Sequence, residues 1–136
     1  MDTPDKIDLS AKLALFSDRW SPKIVAELNG QHVKLAKLEG EFVWHRHENE
    51  DELFLVLAGR LRMKLRSPAA GDASEGDAGS ETEVSIGPGE MIVVPRRVEH
   101  LPIADEEVHV LLFEPASTLN TGNVESERTV RDLDRI

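Results

Sequence analysis

Four side chains in this sequence have the types and spacing to hold a metal ion. His45 and His47 are two residues apart in a segment with strand character, Glu52 follows, and His100 lies far along the chain. Side chains at i and i+2 leave a strand on the same face, roughly 6.6 Å apart by strand rise. Two imidazoles at that separation can tilt toward one ion. Glu52 adds an oxygen and His100 can close the site from a distant strand. Three imidazoles and a carboxylate suit one divalent transition metal (Fe, Mn, Ni, Cu, Co or Zn) and leave coordination positions for water or substrate. A His-x-His pair is more often surface decoration than a ligand pair. Here Val43 shares the face of His45 and His47, so that face reads as inward, where two unpaired imidazoles would be costly.

Other polar residues have weaker claims. Asp51 neighbours Glu52, but alternation points it the other way. His109, in the segment Val108–Glu114, is a weak candidate for an acid/base or supporting role, and a surface or core histidine is the competing reading. His32 follows a turn and is expected to be exposed. Val43, Phe54, Met63 and Val93 are expected to line the interior by alternation.

The elements that must position these residues read as β-strands. Lys23–Leu28 and Gln31–Leu38 flank Asn29-Gly30, a dipeptide favoured in a type I′ hairpin turn. Phe42–His47, Glu52–Leu57, Leu61–Leu65, Glu83–Ile86, Met91–Val94, Val98–Pro102 and Val108–Glu114 are further strands. Leu61, Met63 and Leu65 share one face, and Arg62, Lys64 and Arg66 the other. Many short strands joined by Gly and Pro turns predict an all-β antiparallel barrel or sandwich. Ile7–Phe16 is a short helix or turn. The segment 67–80 is Gly, Ala, Ser and Asp-rich and reads as a flexible loop. Residues 120–136 are expected to wrap loosely over the outside.

Phe42, Trp44, Leu53, Leu55 and Leu57 are expected to point away from the metal, which makes these strands apolar on both sides. Such strands are covered on both sides. The cover is the N-terminal segment with Leu13, Phe16 and Trp20, a second copy of the chain, or both.

At 136 residues the chain is expected to form one domain, residues 1–136. It has no cysteine, which rules out disulfides, thiolate catalysis and Cys-ligated zinc. Sixteen basic and 26 acidic residues leave a net charge of −10, which argues against nucleic acid and anionic membrane surfaces as partners. No apolar run approaches the ~18 residues of a membrane span, and no apolar stretch follows a basic one near Met1. The expected location is the cytoplasm.

The stretch from Gly40 through His45-Arg46-His47 and Glu52 to Gly59 resembles the first motif of the cupin superfamily. Its first gap is four residues instead of five. Gly89 through Pro95 to His100 resembles the second motif, with Arg97 where the family has a second Gly and Ala104 where it has Asn. The two motifs span residues 40–59 and 89–104. The resemblance implies a small single-domain (type 2) cupin, of the kind often labelled mannose-6-phosphate isomerase-like. It implies a double-stranded β-helix (jelly-roll) barrel with a short N-terminal helical or extended segment, and His45, His47, Glu52 and His100 as metal ligands. It also adds weight to a homodimer. A residue other than Gly at position 97 costs about 1 kcal/mol if the turn needs positive φ, so Arg97 marks an altered turn or a cation beside the site.

Three functions remain. The first is a metal-dependent enzyme on a small organic molecule, non-haem iron dioxygenase-like. The second is a sugar or sugar-phosphate isomerase, which needs cations in its pocket. The third is a non-catalytic module that binds or senses a small molecule.

Overall fold

The computed structural model describes residues 3–66 and 80–136. One short helix, α1 (Leu9–Leu13), precedes seven strands: β1 (Lys23–Leu28), β2 (Gln31–Glu41), β3 (Glu52–Ala58), β4 (Leu61–Arg66), β5 (Glu81–Ile86), β6 (Met91–Val94) and β7 (Glu99–Pro115). The order is β1-β2-β7-β3-β6, with β4 joining β7 and β5 joining β4, and every strand pair is antiparallel. The all-β expectation is met. Among the described residues no helix is long and apolar enough to cross a membrane. The expected flexible loop falls on residues 67–79, outside the described residues, apart from Ser80.

Local chemistry explains much of this. Asn29 (φ 50) and Gly30 (φ 75) both have positive φ and join β1 to β2 with Leu28 opposite Gln31, as a type I′ turn requires. Gly59 ends β3 at φ 83, where a Cβ would lie 2.8 Å from the Glu107 carbonyl oxygen. Alternation on β3 and β4 buries Phe54, Val56, Leu61 and Met63 with Leu38, Val108, Val110 and Leu112 in the main core.

Several expectations are corrected. Phe42–His47 is not a ladder strand. The β2–β7 register slips between Leu38 and Gly40, and beyond Glu41 the chain touches β7 only at isolated points. Phe42 therefore turns inward instead of away, and its ring stacks on Trp20 at 4.6 Å and 10°. Trp44 lies under the Arg66 guanidinium. The two segments Val98–Pro102 and Val108–Glu114 are one strand, β7. Its N-terminal half pairs with β4 and its C-terminal half with β2 and β3, and the chain between Ala104 and Val108 bulges out of register. Val93 is half exposed, because its partner is Leu53 on the outer face, and Val94 takes the inner position opposite Glu52. Val43 is only half-buried and packs beside Phe42, Leu101 and Ile103. His32 is buried, 3.7 Å from Glu27.

The C-terminal segment is not a loose wrap. Thr118 and Thr121 are buried. The Arg46 and Asn123 amides donate to Asn123 Oδ1 and the Arg46 carbonyl at 2.9 and 3.0 Å, and at the chain end the Ile24 amide donates to Asp134 O at 2.9 Å and the Ile136 amide to Ile24 O at 3.0 Å.

Candidate metal centre

The backbone that carries the two early histidines is pinned at three places. The Phe42 amide donates to Pro102 O at 3.1 Å, His45 and His100 exchange two backbone hydrogen bonds at 3.1 and 2.9 Å, and the Arg97 amide donates to His47 O at 2.7 Å. These bonds set His45 against His100 directly and keep His47 one alternation further on. The four proposed ligands converge: ligand atoms of His45, His47, Glu52 and His100 lie within 4.8 Å of one another, and all four residues are buried. Glu52 Oε1 is 3.3 Å from both His47 Nε2 and His100 Nε2.

The tautomers follow from the neighbours. His45 Nδ1 donates to Val43 O at 2.8 Å and His100 Nδ1 donates to Val98 O at 3.0 Å, because a carbonyl can only accept. Each ring therefore presents Nε2 as a bare acceptor, the arrangement that orients a metal-ligating histidine. Burial, with the nearby His100, pushes the His45 imidazole down to about 3, so it is neutral and ready to ligate. Burial works to raise the Glu52 carboxyl, but the close approach of Glu114, His100 and His47 outweighs it and holds Glu52 well below the usual carboxylate range. Among the described residues, both His47 ring nitrogens, His100 Nε2 and Glu52 Oε1 have no hydrogen-bond partner. Orphaned buried acceptors are expensive, and a bound cation removes that cost. The residues fit a divalent transition metal held by three imidazoles and one carboxylate.

The other candidates sit elsewhere. Asp51 is exposed and accepts from the Arg96 amide at 2.9 Å. His109 lies on the other face of β7, 3.1 Å from Glu107, and is not brought to the cluster. Arg97 has φ 70, so the turn is not altered but keeps the positive φ that glycine favours, and its side chain is 69% exposed, 4.0 Å from Glu48. Arg62, Lys64 and Arg66 pair with acidic groups on the outside.

The cluster borders a small, partly open cavity. Trp20, Leu38, Phe42, Phe54, Val110 and Leu112 make its apolar wall, and His45, Glu52, Glu114 and Asn120 its polar side. Sequence reasoning did not assign Trp20, Asn120, Lys34 or Glu114 to the site. Trp20 holds a left-handed backbone (φ 59), with its indole Nε1–H on Glu39 O at 2.8 Å. Nothing local in the sequence announces that. Lys34 and Glu114 did carry a signal. Alternation places Lys34 with Ala36 and Leu38, and Glu114 with Val108, Val110 and Leu112, on the inner face. The Lys34 ammonium donates to Glu114 Oε1 at 2.7 Å, with both side chains fully buried. Gly122 brings the C-terminal segment against the site, since a Cβ there would overlap the Arg46 carbonyl and press on the His45 ring.

Comparison with known proteins bears on the family and the fold. A cupin-2 domain containing protein from Shewanella frigidimarina NCIMB 400 is 38% identical, with a TM-score of 0.66 over 80% of this chain and 93% of that one. An uncharacterized protein, YdbB of Bacillus subtilis (strain 168), is 49% identical over 42 residues, which are 31% of this chain and only 37% of that relative. The hydroquinone 1,2-dioxygenase PnpCD, solved in complex with Cd2+ and 4-hydroxybenzonitrile, shares the fold, with a TM-score of 0.62 and 18% identity over 78% of this chain and 70% of that one. Residues 31–114 match the Cupin_2 family, described as a cupin domain, and the chain belongs to that family.

Proposed function

We propose that the chain is a metal-dependent enzyme acting on a small, largely apolar organic molecule, with dioxygenase-like oxidation as the leading reaction class. The carrying observation is the buried His45–His47–Glu52–His100 cluster, with unpartnered acceptors, at the border of an apolar cavity. A divalent metal held by His45, His47, Glu52 and His100 would supply Lewis acidity and, if it were iron, redox chemistry. The chain's own residues do the rest. The Val43 and Val98 carbonyls keep His45 and His100 with Nε2 toward the ion. Trp20, Phe42 and Phe54 exclude water and offer flat surfaces to a ring-sized ligand. The occurrence of the same fold in a hydroquinone 1,2-dioxygenase solved with Cd2+ and an aromatic molecule is compatible with this reading.

The cavity lining disfavours a sugar-phosphate isomerase. Among the described residues its wall presents no Arg or Lys, Lys34 behind it is paired with Glu114, and Arg97 points to solvent. A non-catalytic binding module remains the second reading, since the same cavity suits a bound ligand that is not transformed. The test is metal analysis of protein purified without chelators, followed by oxygen-consumption assays on small phenols and other apolar rings with the metal restored. Stoichiometric metal with ligand binding but no turnover would favour the binding module. Absence of metal from the purified protein, and failure to take it up, would sink the enzyme reading.

We also propose a homodimer through the outer face of β3 and β6. Leu53, Leu55, Leu111 and Phe113 are half-buried there, while Met91 and Val93 are 61% and 50% exposed. The N-terminal segment covers the far end of this face, with the Phe16 ring against Lys23 and Lys37 on β1 and β2. A second copy of the chain is the proposed cover for the β3–β6 end.

A further inference from the structure

Lys34 and Glu114 are the puzzle of the interior. An ion pair taken wholly out of water loses solvation that its mutual attraction only partly repays, and apolar residues of similar size often serve stability as well or better. Yet Lys34 and Glu114 are 1% and 2% exposed, joined at 2.7 Å, inside a barrel otherwise packed with Val, Leu and Phe. Their place in the sheet explains why they are there. On β7 and β3, Phe113 faces Leu53, so the next residues, Glu114 and Glu52, are neighbours on the inner face. The two carboxylates line the same cavity. Glu114 Oε1 takes the Lys34 ammonium, while Oε2 has no hydrogen-bond partner among the described residues.

Glu52 is thus held from two sides. His47 and His100 stand 3.3 Å from its Oε1, and Glu114, tied to Lys34, meets it from within the barrel. A glutamate has three rotatable side-chain bonds and would otherwise wander in an apolar cavity. Partners that orient a ligand are worth about 10–100-fold in metal affinity.

We propose that Lys34 and Glu114 are positioning residues of the metal centre, a buried pair that fixes the Glu52 carboxylate so that it presents one oxygen to the ion. This rests on the reading of the His45–His47–Glu52–His100 cluster as a metal site. It adds two residues from β2 and β7 that touch neither the metal nor the substrate. Three adjacent strands then set one ligand, and the pair's stability cost is spent on geometry.

The test uses the full chain and Co(II) as the probe, with affinity read by chelator competition and geometry by the visible absorption of the bound ion. The double variant Lys34→Met/Glu114→Leu removes both partners together, so no unpaired charge is left in the core. It should weaken Co(II) binding by about 10–100-fold and change the absorption spectrum, while circular dichroism stays that of the wild type. Glu114→Gln keeps the side-chain shape and an acceptor for Lys34, and it offers an amide N–H toward Glu52. It should restore the wild-type spectrum and bring affinity to within about threefold of wild type, which a merely space-filling role would not require. A folded double variant with wild-type affinity and spectrum overturns the proposal. If the double variant does not fold, Lys34→Met alone is read against the same limits, since it leaves Glu114 unsupported with no charged partner. If the wild type itself binds no Co(II), the metal-site reading fails, and this proposal with it. If the wild type binds and only the variants are indifferent, the metal site stands and the positioning role falls.

Discussion

The two faces of β3 are equally apolar to the eye and do different work. Inward, Glu52, Phe54 and Val56 are buried in the barrel, and outward, Leu53 and Leu55 are half-buried. The inner face is closed by this chain alone, because β7, β2 and β4 return to pack against it. The outer face ends in Met91 and Val93, which are 61% and 50% exposed. Hydrophobicity does not separate the faces of this strand. The one buried carboxylate does, since Glu52 is tolerable only where partners meet it.

Neighbouring substitutions should expose that difference. Phe54→Ala removes a ring from the closed interior and should cost about 3–5 kcal/mol in chemical unfolding. Leu55→Ala, one residue on and facing out, should cost about 1 kcal/mol in the dissociated subunit. Equal costs at low protein concentration would show that the outer face is sealed within the chain, contrary to the comparison.

The polar end of the inner face should respond next. His47→Ala should weaken metal binding by more than about a hundredfold, since even the partners of ligands are worth about 10–100-fold, while the fold survives. Full metal occupancy in that variant, measured by elemental analysis, removes His47 from the ligand set.

The same end should make the metal-free protein sensitive to acid. His45 is held down to about 3 from its ordinary 6.5, chiefly by burial. Between those values the unfolded chain takes up a proton at His45 that the folded chain refuses, so this contribution falls as pH falls from about 6.5 toward 3 and is flat above. Bound metal extends the effect, because each imidazole must be neutral to ligate. Urea unfolding of wild type and His45→Gln at several pH values checks it. The variant's stability should be less steep in pH, and identical slopes would deny His45 the role.

On the outer face the expected effect is smallest for the subunit and visible in association. Leu55→Glu should shift the protein to monomer in light scattering, with circular dichroism unchanged. A wild type that stays monomeric at high concentration would leave the β3–β6 face bare and remove the second copy as its cover.

Spacing along the chain sufficed for whatever depends on local periodicity. His45, His47, Glu52 and His100, the Asn29-Gly30 hairpin and the inner and outer faces of β4 were all legible, because a strand's period of two and a turn's need for positive φ are written in adjacent residues. The candidate cluster was legible in its members but not in its support. Phe42 turned inward because the β2–β7 register slips before it, and Val93 turned outward because its cross-strand partner is Leu53. Residues 99–115 became one strand because three neighbours pair with it in succession. Trp20, Asn120 and Gly122 reach the site from both ends of the chain. Lys34 and Glu114 are 80 residues apart, and each alone reads as a charge misplaced on an inner face. Only the pairing of β2, β7 and β3 makes them one chain of contacts ending at Glu52, because a buried charge acquires its meaning from the partner that tertiary structure sets beside it.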